Sequence, residues 1–213
     1  MKAFLVEFAG TFLFVLTFGL TVVPPSVGPF APLAIGLMLA AMVYAGGPVS
    51  GGHYNPAVTL AVWLRGRCAG RVVLPYVLAQ LVAGALAGVL VNELRTGGIA
   101  ASAVPTVHDH LKLAVVEFVF TFALAYVFLA VATSLKSSGN SSSGLAVGVT
   151  VIAGMYAGLP LSGGMFNPAV SVGSSLMGLG SWELLWLYVV AQLAAGSVAA
   201  IAHRATSPEE LQK

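Results

Sequence analysis

Ser50-Gly-Gly-His-Tyr-Asn-Pro-Ala-Val58 returns 112 residues later as Ser162-Gly-Gly-Met-Phe-Asn-Pro-Ala-Val170. Each copy opens a segment, 55–64 and 167–177, that stays apolar for about ten residues, about 15 Å of helix at 1.5 Å per residue. A hydrocarbon layer is about 30 Å thick, so neither segment crosses it alone, whereas two meeting end to end fill it. Irregular backbone at that depth is tolerated only where protein or a water-filled cavity satisfies it. The pair therefore predicts a cavity.

Outward from the two copies lie six longer apolar runs, near 4–23, 31–47, 72–94, 112–134, 144–161 and 182–203. Each comes close to the roughly 20 residues that a spanning helix needs. Only 8% of the chain is charged, against about 25% in a soluble domain, and six spans leave no room for a soluble catalytic domain. The run from Ala3 to Val23 after Lys2 is too long for a signal core of about 7–15 residues, so it reads as the first span. Tyr76-Val-Leu-Ala-Gln-Leu81 recurs as Tyr188-Val-Val-Ala-Gln-Leu193, and Glu7 has its counterpart in Glu117. These matches predict one domain, 1–213, made of two repeats over about 1–100 and 110–205. Three spans per repeat is an odd number, so the second repeat enters from the opposite face and the repeats are inverted.

With the amino terminus inside, Lys2, Arg65, Arg67, Arg71, Lys136, Arg204 and Lys213 are cytoplasmic, while Arg95 and Lys112 are external. That excess of inside positive charge predicts a multi-pass protein of the plasma (inner) membrane with both termini cytoplasmic. Ser137 to Gly144 reads as the connection between halves and Ser207 to Lys213 as a frayed tail. The net charge of +2 shows no basic stripe and predicts no nucleic-acid partner.

Asn is a favoured N-cap, its side-chain oxygen accepting a first-turn N–H, and Pro fits N1, where no donor is needed. With that oxygen occupied, the amide NH2 of Asn55 or Asn167 is left free, and it can only donate. Two opposed helix starts also place about half a positive charge each at the midplane, which repels cations. A water accepting from both amides has its hydrogens turned outward, so protons are not relayed through it. Asn55-Pro56-Ala57 and Asn167-Pro168-Ala169 thus mark the pore of a passive channel.

These motifs, with Val6-Glu-Phe-Ala-Gly-Thr-Phe12, Ala79-Gln80 and Glu117-Phe118, resemble the aquaporin and glycerol-facilitator family, the major intrinsic proteins, over essentially the whole chain. The resemblance implies an all-α membrane protein, a right-handed bundle of six transmembrane helices plus two re-entrant half-helices, assembled as homotetramers among lipids and needing no cofactor. It further implies a four-residue constriction, which spacing from the motifs assigns to Ile35, Met155, Gly164 and Val170. Family members usually carry Arg at the last of these. With Val170 there, and no side chain at Gly164, the constriction is apolar and wide, favouring water and small uncharged solutes such as glycerol, urea, ammonia, hydrogen peroxide or neutral arsenite. Some plant vacuolar and bacterial arsenic-associated members are similar in this Val. Ser171 and Tyr188 resemble the water-channel branch and Val189 departs from it, so a water-selective pore stays open as an alternative.

The family also implies that Glu7 and Glu117 accept N–H groups of the re-entrant loops and so hold the pore wall, and that carbonyls of Gly51, Gly52 and His53 form acceptor rungs. His53 reads as structural, with its unperturbed pKa near 6.5 leaving pH gating as the alternative. His108, Asp109 and His110 read as a solvated loop and Cys68 as a bystander, so no metal site is expected. Gly84, Ala87 and Gly88, matched by Gly196, Ala199 and Ala200, read as close helix packing. The rival from another class is a coupled secondary transporter, which also uses inverted repeats. An enzyme is not expected, because no nucleophile–base pair, metal set or phosphate loop is present.

Overall fold

The computed structural model describes residues 1–94, 109–134 and 142–207. Arg95, His108, Lys136 and Lys213, the connection 137–141 and the tail from 208 onward lie outside the described residues. Among the described residues all regular structure is helical: α1 (Lys2–Val22), α2 (Ala31–Ser50), α3 (Pro56–Leu64), α4 (Gly70–Leu94), α5 (His110–Phe128), α6 (Ser143–Ser162), α7 (Pro168–Leu176) and α8 (Leu185–Thr206). Short 3-10 turns precede α2 and α8, and a π-helical turn, Leu129–Thr133, follows α5.

Six of these units are long and apolar enough to cross a membrane, with mean hydropathies from 1.7 to 2.3. They do so without a polar face: Leu5, Leu13, Leu37, Leu74, Val115 and Ile201 all lie exposed on the outside of the bundle. Such a surface is stable only where lipid or another subunit replaces water.

The second span ends three residues later than expected and the fifth one residue later, both at the same kind of stop. The second and fifth spans were expected to end at 47 and 161, but α2 runs through Pro48 to Ser50 and α6 through Pro160 to Ser162. Each Pro lies in the last turn, where it removes one i→i−4 donor without ending the helix. The helices stop instead at Gly51 (φ 91°) and Gly163 (φ 88°), left-handed C-caps that turn the chain inward.

Packing between the halves relies on bare backbone. A Cβ on Gly84 of α4 would lie 2.3 Å from the carbonyl oxygen of Ala169 in α7, and one on Gly196 of α8 would lie 2.5 Å from that of Ala57 in α3. Each short helix is thus held by a long helix of the opposite half. This close approach explains the small-residue pattern in α4 and α8.

Candidate functional site

A short helix at membrane depth must have its irregular entry loop satisfied by the protein. In the first half the Glu7 carboxylate does this, fully buried in α1. Its Oε1 accepts from Ser50 Oγ (2.7 Å) and His53 N (2.9 Å), and its Oε2 from Tyr54 N (2.7 Å) and Gln80 Nε2 (2.8 Å). The second half repeats the set atom for atom. Glu117 Oε1 accepts from Ser162 Oγ (2.7 Å) and Met165 N (3.0 Å), and Oε2 from Phe166 N (2.7 Å) and Gln192 Nε2 (2.8 Å). Tyr76 and Tyr188 hydroxyls close each cage on the carbonyls of Ser50 and Ser162.

Sequence reasoning missed the part played by Gln80, Gln192, Ser50 and Ser162. The signal was present: a Gln duplicated at the same offset within two otherwise apolar spans.

With the loops so tied, Tyr54 (φ 50°) and Phe166 (φ 48°) adopt left-handed backbone immediately before each Asn. Conformations of this kind cost about 1–3 kcal/mol for non-glycine residues and persist only where the surroundings over-determine them. Here they aim the two helix starts at each other. Asn55 Oδ1 accepts from Ala57 N at 2.8 Å and Asn167 Oδ1 from Ala169 N at 2.9 Å, the expected N-caps.

The amide nitrogens differ from expectation. Neither NH2 is wholly free: Asn55 Nδ2 donates to Phe166 O and Asn167 Nδ2 to Tyr54 O, both at 2.9 Å. Each amide uses one N–H to lock the opposite loop and keeps one, since an amide carries two donors. The exchange also fixes the direction in which the remaining N–H points. Among the described residues, no donor meets the carbonyls of Gly51, Gly52 and His53, which leaves them available to a solute.

Asn55 and Asn167 both line an enclosed central cavity of about 10 Å³, about the space that a single water occupies. Most of its wall is apolar, from Phe14, Phe18, Leu39, Val151 and other side chains; His53, Tyr54 and the two amides are its polar members. Of the four residues assigned to the constriction, Met155 and Gly164 line this cavity, and a Cβ on Gly164 would lie 3.6 Å from Met155 Cγ. Ile35 and Val170 are fully buried and do not line it; Leu39, one turn beyond Ile35 on α2, does. A second, open cavity of about 420 Å³ lies at the Arg67 end, reached by Ser50, Gly51, Cys68 and Thr133.

His53 is buried, with Nδ1 3.2 Å from Thr59 Oγ1 and its ring edge-on to those of Tyr76 and Phe128. Burial, and then the nearby Glu7 charge, push the Cys68 thiol above its ordinary pKa, which disfavours its thiolate. Asp109 caps α5 by accepting from Lys112 N at 3.0 Å, and its carboxyl is held below the usual range chiefly by that bond. Among the described residues no three His, Cys, Asp or Glu side chains are grouped to hold a metal.

Residues 1–203 match the family model described as Major intrinsic protein. The chain is 39% identical over 177 residues to aquaporin NIP1-4 of Oryza sativa subsp. japonica, covering 82% of this chain and 64% of that protein. It thus spans less than two thirds of the length of this plant relative. It is 33% identical to glycerol uptake facilitator protein-like 6 of Lactiplantibacillus plantarum over 99% of this chain and 100% of that one. The aquaglyceroporin from Plasmodium falciparum has the same fold, with a TM-score of 0.74 at 20% identity over 93% of each chain.

Proposed function

The chain belongs to the major intrinsic protein family and is an integral, multi-pass membrane protein, and from that premise we propose that it is a passive channel for water and small uncharged solutes that excludes ions and protons. The observation that carries this reading is the reciprocal pair of bonds from Asn55 to Phe166 O and from Asn167 to Tyr54 O. These bonds hold two donor-only N–H groups on one water-sized cavity between two helix starts. A solute there must present an acceptor, and a cation meets the positive ends of both short helices.

For a coupled transporter, the described residues offer no free buried carboxylate to its driving ion. The buried carboxylates of Glu7 and Glu117 each already accept four donors from the scaffold.

The two repeats are inverted, both termini are cytoplasmic, the protein resides in the plasma membrane, and subunits form homotetramers, each with its own pore. Ile35, Met155, Gly164 and Val170 form the external constriction, with Val170 one residue beyond Ala169 in the first turn of α7. Without a fixed cation there, glycerol, urea, hydrogen peroxide and neutral metalloid hydroxides pass alongside water.

Stopped-flow swelling of proteoliposomes in water, glycerol and urea gradients tests this, with the wild type beside Val170→Arg. The wild type is expected to exceed plain lipid for all three, and Val170→Arg to cut glycerol and urea flux far more than water flux. Equal loss of all three fluxes would remove Val170 as the filter, and wild-type vesicles no leakier than lipid would remove the channel.

A further inference from the structure

The central cavity and the open vestibule are lined in common by two described residues alone, His53 and Phe128. These two rings form the wall that the two spaces share, and their centroids lie 5.7 Å apart at an interplanar angle of 88°. Each face of the contact is tight: Phe128 is 1% exposed and His53 7%. On one side of the contact lies room for about one water; on the other lie about 420 Å³ of open space.

The two walls of this neck are held differently. His53 is fixed from several directions: its backbone N–H by Glu7, its Nδ1 by Thr59, and its ring against Tyr76. Thr59 is itself held by Gln80, whose Nε2 donates to it at 3.0 Å. Phe128 has no polar anchor. It is the last residue of α5, and the chain passes at once into the π-helical turn Leu129–Thr133, where Thr133 Oγ1 donates to Leu129 O at 2.7 Å. Turns of this type sit often at functional sites. Phe18 stands at the corresponding place in the first half, 110 residues earlier, but α1 continues as ordinary helix to Val22.

We propose that Phe128 is a second selectivity and gating residue of the pore: its ring closes the inner end of the central cavity against His53, and flux requires it to swing aside. An apolar ring at a neck this narrow resists wetting, which is a recognised way to shut a pore. It acts on every solute but most on those larger than water, because a larger body needs a larger displacement. This inference rests on the channel reading and adds a barrier at the end opposite Val170.

The test uses the full-length protein in proteoliposomes, comparing wild type, Phe128→Ala and Phe128→Trp at equal amounts of inserted protein. Water and glycerol permeabilities are read by stopped-flow light scattering, with retention of an entrapped anionic dye as the measure of an intact wall. Phe128→Ala is expected to raise glycerol permeability about tenfold, the change that about 1.36 kcal/mol off a barrier produces, to raise water permeability less, and to retain the dye. Phe128→Trp is expected to lower glycerol permeability. If Phe128→Ala inserts poorly, Phe128→Leu carries the test, with a smaller rise expected.

The proposal is overturned if the inserted alanine or leucine variant matches the wild type, or if its rise is equal for both solutes and accompanied by dye release. A conducting wild type with unchanged variants defeats this inference alone; wild type and variants all no leakier than lipid defeat the channel reading as well.

Discussion

The loops 50–55 and 162–167 are the same device built twice, and the halves differ in side chains that do not themselves bond the buried carboxylate. Glu, Ser, Gln and Tyr recur with the same partners, and the four bonds to each carboxylate agree to within 0.1 Å, well inside the normal scatter of such bonds. His53 against Met165, Tyr54 against Phe166 and Thr59 against Ser171 are where the halves part. Backbone N–H groups at membrane depth allow no latitude, since an unsatisfied one costs about 1–3 kcal/mol or more. Side chains on the pore wall and on the neighbouring helices answer to solute and packing, and have diverged.

This comparison breaks most readily at the cages. Glu7→Gln leaves one acceptor oxygen where two served, with an NH2 group facing N–H and O–H donors, so at least two bonds are lost and some become repulsive. At about 1–3 kcal/mol for each buried donor left unmet, the loss is comparable to a whole domain's margin of about 5–15 kcal/mol. Glu117→Gln is expected to cost about the same, and both variants should fail to yield a stable particle in detergent, read by thermal unfolding and size-exclusion profile. A well-behaved Glu117→Gln beside a lost Glu7→Gln would show that only the first loop depends on its carboxylate.

The next effect sharpens the comparison at the helix contacts. Gly84→Ala and Gly196→Ala each drive a methyl against a backbone carbonyl, at 2.3 and 2.5 Å before relaxation. Overpacking of this kind costs about 1–3 kcal/mol, and backbone cannot rotate away as a side chain does. Both variants are expected to insert but melt earlier by similar amounts. A drop in one alone would mean that the short helices α3 and α7 are held unequally.

How far the sequence carried these conclusions follows from the same division. The duplicated Asn-Pro-Ala, the carboxylates and the six spans were legible because each is a local pattern forced by the membrane: length, apolarity, an N-cap, a lone charge. The exchange of bonds between Asn55 and Phe166 O, and between Asn167 and Tyr54 O, was not legible, because it joins residues 111 and 113 apart and depends on the left-handed backbone just before each Asn. The end of the second span was expected at 47, before Pro48, whereas the helix continues to Ser50 and the left-handed glycine that follows sets its end. Phe128 was invisible as a wall of the path, since one aromatic in an apolar span has no pattern to mark it.

The smallest expected effect lies where the loops differ by a single hydroxyl. Tyr54 Oη donates to Met42 O at 2.9 Å, and its ring occupies the space beside Gly10 and Gly46, where a Cβ would come within 2.2 and 1.8 Å of it. Phe166 has no hydroxyl and packs against Phe120 at a centroid distance of 5.3 Å. Tyr54→Phe removes one hydrogen bond to a carbonyl that α2 already employs within the helix, so no acceptor is stranded, and the cost should fall near the low end of about 0.5–1.5 kcal/mol. Thermal unfolding in detergent should drop slightly, with glycerol and water permeabilities unchanged, because the backbone carbonyl of Tyr54, not its hydroxyl, receives the Asn167 amide. A large fall in permeability would mean that the ring's tether to α2 sets the left-handed turn, and that the first loop needs a support the second does without.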